Sequence, residues 1–157
     1  MQKINPCLWF EDQAEQAANL YVSLFEDSAV THVSRFPEGS PGPAGQAMMV
    51  NFTIAGQEFL GLNGRSALGF TEAVSFSVHC KDQAEVDRLW ERLTDGGEEG
   101  QCGWLKDRFG VSWQIIPDRL GELLGDPDPA RSHAVMLAMQ QMGKIDIQAL
   151  EDAADTA

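Results

Sequence analysis

Asp12-Gln13-Ala14-Glu15 and Asp82-Gln83-Ala84-Glu85 spell the same tetrapeptide, DQAE, at two places in the chain. Each copy follows an apolar run, Ile4 to Phe10 or Ala73 to Cys80. Each is followed by apolar residues at helical spacing: Ala17, Ala18, Tyr21, Leu24 and Phe25 in the first, Val86, Leu89, Trp90 and Leu93 in the second. In the first, Asp12 is placed to cap the first turn, with Glu15 three residues on completing a capping box, and the second copy likewise opens a helix. Asp95-Gly96-Gly97 stops the second helix.

Strand patterns continue outward from each helix. After the first come Ala29 to Phe36, Ala47 to Ile54 and Glu58 to Leu62, with Ala55-Gly56 at a hairpin turn. The Gly/Pro-rich stretch at 37–45 is a loop, and it can serve as a lid. After the second come Gly100 to Leu105 and Val111 to Ile116, joined by Asp107-Arg108-Phe109-Gly110. The shared order around a shared tetrapeptide points to duplication of one β-α-β-β-β unit. The expected fold is α+β: two such modules forming a curved mixed sheet, with C-terminal helices. We expect the first module over 1–64, the second over 65–117 and a helical extension over 118–157. In that extension Val135, Met136, Met139 and Met142 are spaced for one helix face.

Composition narrows the function. The 157 residues are 43% hydrophobic, enough for a core without disulfides. The formal net charge of −13 disfavours phosphate backbones and anionic lipid surfaces, so no nucleic-acid or membrane partner is expected. The N-terminus does not read as a signal peptide. Cys7, Cys80 and Cys102 match no zinc or redox spacing and read as reduced thiols in a cytoplasmic protein. His79 and Cys80 are adjacent on a strand and point to opposite faces, so they form no dyad. Of the cysteines, Cys102 is the one to test for reactivity.

INPCLWFEDQAEQAANLYVSLF (4–25), VNFTIAGQEFLGLNG (50–64), FTEAVSF (70–76) and above all GGEEGQCGWLKDRFGVSWQIIPDRLGELLGDPDPAR (96–131) carry a family pattern. The chain resembles the PhnB-like branch of the glyoxalase/bleomycin-resistance/dioxygenase (vicinal oxygen chelate) superfamily, commonly labelled 3-demethylubiquinone-9 3-methyltransferase. The resemblance implies paired β-α-β-β-β modules in a homodimer. The family often carries Gly-Gly-Pro-x-Phe-x-Phe where this chain has Gly64 to Phe70, so its pocket mouth is expected to differ.

The resemblance also says where a metal would sit. Metal-dependent superfamily members take His or Glu ligands from the first and last strand of each module. Those positions fall near Pro6, near Ser75 or Phe76, near Leu60 and near Gln114. A divalent ion needs several imidazole or carboxylate donors. We therefore expect no metal. No strand–Gly-rich turn–helix is present to hold a methyl donor or dinucleotide, so no cofactor is expected either. What remains is a small-molecule ligand in an apolar pocket with a few polar groups. Its expected lining is Gln114, Ser112, Leu60, Leu62, Trp104 and Phe10. Three readings stay open: a metal-independent binding protein, a metal-independent enzyme, and a structural or regulatory homodimer with a filled cup.

Overall fold

A computed structural model describes residues 2–157. The chain divides after Gly69 into two compact units. The first contains β1 (Cys7–Phe10), α1 (Ala14–Leu24), β2 (Ala29–Arg35), β3 (Ala47–Ile54) and β4 (Gln57–Asn63). Its four strands form one sheet in the order β1-β4-β3-β2, with β1 parallel to β4 and the other pairs antiparallel. The second unit begins with β5 (Ser75–Cys80), α2 (Gln83–Thr94), β6 (Glu98–Glu99), β7 (Trp104–Lys106) and β8 (Ser112–Pro117). Its sheet runs β5-β8-β7-β6 with the same mixture of parallel and antiparallel pairs. The fold is thus α+β, with one four-stranded mixed sheet per module.

Each sheet buries one face against its helix. In the first module Leu8, Phe10, Val50, Phe52, Ile54 and Phe59 alternate onto that face and are at most 7% exposed. Gly61 lies there too, because a Cβ at this position would sit 3.3 Å from the Cβ of Ala14. In the second module Trp113, Ile115, Cys80 and Leu105 play the same part against Val86, Leu89, Trp90 and Leu93. Side-chain alternation follows from strand geometry, so the remaining residues of each strand line an open face.

The two DQAE segments are used differently. In the second, Asp82 is the N-cap and accepts from the Glu85 amide at 2.9 Å, while Glu85 Oε2 accepts from the Lys81 amide at 3.1 Å. In the first, the tetrapeptide stands at the same distance from its strand but the helix begins one residue later, which puts Gln13 at the N-cap without a side-chain capping bond, contrary to the expected role of Asp12. The Ala14 amide instead donates to Asn63 Oδ1 at 2.8 Å, and Asn63 Nδ2 donates to the Ala47 carbonyl at 2.9 Å. A buried amide from β4 replaces the local cap.

Helices α3 (Asp118–Leu124), α4 (Pro129–Gln140) and α5 (Ile147–Asp155) belong to the second unit. Leu120, Leu123, Val135, Ile145, Leu150 and Ala154 form their shared core, with Met139 and Met142 packed on it. Met136 is 44% exposed and does not join that face, contrary to the spacing argument. Gln83 ties the helices down: its Nε2 donates to the Ile145 carbonyl at 2.9 Å and its Oε1 accepts from the Ile147 amide at 2.8 Å.

Candidate functional site

Residues 100–103, expected as strand, are a turn. Gly100 N donates to the Trp104 carbonyl and Trp104 N to the Gln101 carbonyl, at 2.9 and 3.0 Å. Cys102 and Gly103 both have positive φ, 58° and 86°. Their amides donate at 2.8 Å to the carbonyls of Met142 and Gly143. A Cβ on Gly103 would sit 3.0 Å from the Ile115 carbonyl oxygen and 2.8 Å from the Ile116 side chain. The Cys-Gly-Trp sequence therefore belongs to a tight docking turn, and Cys102 is positioned by its backbone.

The other end of this hairpin is organised by Asp107, which is 3% exposed. Its Oδ1 accepts from the amides of Phe109 and Val111 at 2.8 and 3.1 Å, and its Oδ2 from the indole Nε1 of Trp113 at 2.9 Å. This carboxylate was not among the sequence candidates. Acids in a Lys-Asp-Arg-Phe-Gly turn ordinarily face water, and only the fold brings the Trp113 indole to it.

These two turns present β7 and β8 so that their open face carries Trp104, Lys106, Ser112, Gln114 and Ile116. Gln114 lies beside Trp104 on one side and Ser77 on the other, and Ser112 lies between Lys106 and Ser75. Gln114 Nε2 donates to Ser75 Oγ at 3.0 Å. A cleft of about 340 Å³ opens on this face, bounded by Glu72, Glu98, Trp104, Lys106 and Ser112. Lys106 Nζ pairs with Glu72 at 2.8 Å, and that hydrogen bond raises the lysine pKa. Ser112 is 1% exposed, and its hydroxyl has no hydrogen-bond partner among the described residues. A buried hydroxyl left unpaired costs about 1–3 kcal/mol, so this atom is out of keeping with a merely packed sheet.

Three of the expected lining residues, Gln114, Ser112 and Trp104, are thus brought to one face. Leu60 and Leu62 share the open face of the first sheet with Cys7 and Trp9, opposite which they lie in register. Phe10 does not join them. It is opposite Asn63, points to the helix side and is 3% exposed. Trp9 is the aromatic on the open face, and its Nε1 donates to the Ser66 carbonyl at 2.8 Å. Gly64 admits this ring: a Cβ there would lie 1.9 Å from it. The Arg65 guanidinium donates to the Pro41 carbonyl, linking this segment to the Gly/Pro loop. Arg35 forms two hydrogen bonds to Glu15 at 2.9 and 3.1 Å.

In the sheet register Cys7 stands beside Leu60 and Ser77 beside Gln114, within one or two positions of the expected Pro6 and Ser75 or Phe76. A thiol, an aliphatic group, a hydroxyl and an amide do not make a ligand set for a divalent ion. Among the described residues no three His, Cys, Asp or Glu side chains are grouped to hold one. Cys80 is fully buried, and burial first, then the nearby Glu85 and Asp118, push its thiol up to about 12. Cys7 is exposed overall, but partial burial of its thiol raises its pKa as well.

The model of the 3-demethylubiquinone-9 3-methyltransferase family matches residues 2–116. The chain belongs to this PhnB-like family. Among solved structures, the PhnB protein of Bacillus cereus is 36% identical, with a TM-score of 0.70 over 74% of this chain and 99% of that one. Protein PA1353 of Pseudomonas aeruginosa is 22% identical, with a TM-score of 0.60 over 75% of this chain and 100% of that one. The fosfomycin resistance protein FosX of Listeria monocytogenes is 20% identical, with a TM-score of 0.57 over 80% and 98%. The last two show the shared fold alone. No protein of curated function is detectably similar. The PhnB-like match ends just before α3, so α3–α5 lie beyond the family's matched region. Among the described residues no helix is long and apolar enough to cross a membrane.

Proposed function

We propose that this PhnB-like chain binds a small organic molecule on the open face of its second sheet, without the superfamily metal. The observation that carries the reading is the buried, unpartnered Ser112 hydroxyl at the wall of the cleft beside Trp104. A small ligand offering a donor or acceptor there would satisfy it while resting an apolar part on the indole. Gln114 contributes an amide to the same face, and Leu60 and Leu62 are the corresponding apolar lining of the first module.

The test is a thermal-shift screen over aromatic and glycopeptide-like compounds, repeated with Gln114→Ala and Trp104→Ala. Saturable stabilisation, weakened by either substitution, is expected. Silence across the screen would instead favour a face filled by its own side chains. Equilibration with nickel, zinc or manganese is expected to leave no stoichiometric bound metal; one tightly held ion per chain would defeat the metal-free reading.

The family description favours a second reading, methyl transfer. The Gly/Pro loop at 37–45 lies between β2 and β3, and its prolines lack the amide donors that hold a methyl-donor cofactor. Binding therefore ranks above methyl transfer, and saturable binding of S-adenosylmethionine in calorimetry would reverse the order. We further propose a cytoplasmic homodimer. Free thiols suit a reducing compartment, and light scattering should give twice the 17.2 kDa chain mass. A monomer at micromolar concentration would remove the dimer.

A further inference from the structure

We infer that the cleft on the second module selects small organic cations, an amidinium, guanidinium or primary ammonium carried on an apolar or aromatic body. The inference rests on the ligand-binding reading of that face and adds the chemical class.

Charge at the cleft is unbalanced. Glu72, Glu98, Glu99 and Lys106 all border it. Lys106 is already matched to Glu72 at 2.8 Å, which leaves Glu98 in excess. Glu99 lies opposite Leu105, and its Oε1 accepts from the Trp90 indole at 2.8 Å, so its carboxylate is held on the helix side. Glu98 lies opposite Lys106 in the sheet and shares its open face. An anionic ligand would have to separate Lys106 from Glu72 and then face the carboxylates of Glu72 and Glu98. A cation meets them without breaking anything.

Two neutral groups point the same way. The Ser112 oxygen is buried and unpartnered, and its lone pairs can accept from a charged N–H. Trp104 offers an indole two positions along the same face, and indole is the strongest cation–π partner among the side chains. A benzamidinium-sized molecule suits a cleft of about 340 Å³. The chain's net charge of −13 raises the local concentration of cations generally, but the hydroxyl and indole decide for an organic one.

An isosteric series tests the class. The full chain, labelled with nitrogen-15, is titrated with benzamidine, benzamide and benzoate while the Trp104 indole and Ser112 amide signals are followed. Benzamidine should move both signals saturably and bind roughly two- to fivefold more tightly than benzamide, the range of a partly exposed ion pair. Benzoate should leave them unmoved. Glu98→Gln, an exposed substitution that leaves the core intact, should weaken benzamidine by the same factor and leave benzamide unchanged. Equal or tighter binding of benzamide or benzoate at those signals overturns the cationic class while the ligand-binding reading stands. If none of the three moves them, the cationic class falls, and the broader screen alone judges whether the face binds anything.

Discussion

A hydroxyl and a thiol, both buried on the second sheet, make opposite demands on the fold. Ser112 Oγ is desolvated and unpartnered, so Ser112→Ala removes a penalty instead of an interaction. The variant is expected to be about 1 kcal/mol more stable in urea denaturation. It should also lose affinity for whatever ligand the screen finds. A destabilised Ser112→Ala protein would mean that the hydroxyl is satisfied in solution. Cys80 is a thiol kept neutral by burial and neighbouring acids, with its pKa moved from 9.0 to about 12. Below pH 9 the folded and unfolded chains both hold that proton, and the stability it reflects is fully present. Above pH 9 the unfolded chain releases it first, so stability falls as pH rises towards 12, by on the order of 1 kcal/mol per pH unit. Cys80→Ala should flatten the alkaline slope of stability, whatever its offset at neutral pH. Parallel slopes for the two proteins would show that Cys80 titrates normally.

At the level of elements, two identical tetrapeptides are predicted to behave unequally. Asp82→Ala removes a working N-cap and should cost about 1 kcal/mol. Asp12→Ala should stay within about 0.5 kcal/mol of the parent, because Asp12 caps nothing. Asn63→Ala should cost about 2 kcal/mol, since it strands the buried Ala14 amide and Ala47 carbonyl together. Denaturant unfolding of the three variants checks the ranking, and equal costs for Asp12 and Asp82 would refute it. The same contrast shows what was legible beforehand. The succession of elements along the chain, the Ala55-Gly56 turn and the α2 core residues follow from alternation and helical period, which are local properties. The Asn63 cap joins residues far apart in the chain, and the later start of α1 leaves no mark in the DQAE letters. Ser112 and Gln114 share one face because they share parity on one strand, which the letters alone show. Placing Phe10 needs the β1–β4 register: Trp9, not Phe10, stands beside Leu62. Asp107 escaped for a similar reason, since its indole partner belongs to the next strand.

For the whole molecule the governing quantity is charge. The chain carries 24 acidic and 11 Lys or Arg residues. Arg35, Lys106, Arg108, Arg119, Arg131 and Lys144 pair with carboxylates at 2.8–3.3 Å. Even the most sheltered pair, Arg131 with Asp126, is 34% and 22% exposed. Pairs of this kind contribute roughly 0–1 kcal/mol each, and salt weakens them. Against them stands the repulsion among the carboxylates in excess, which acts over longer distances and is therefore screened more completely once the Debye length falls to about 10 Å. Repulsion should win. Raising sodium chloride from about 10 mM to about 0.3 M is expected to stabilise the protein by roughly 1–2 kcal/mol, a rise of about 2–8 °C in Tm for a chain of this size. Calorimetric scans across that range decide the point. A Tm that stays flat or falls would mean that the ion pairs outweigh the excess charge. The same screening acts in the opposite sense at the cleft, where an organic cation drawn by Glu98 should bind less tightly in the salt that stabilises the fold.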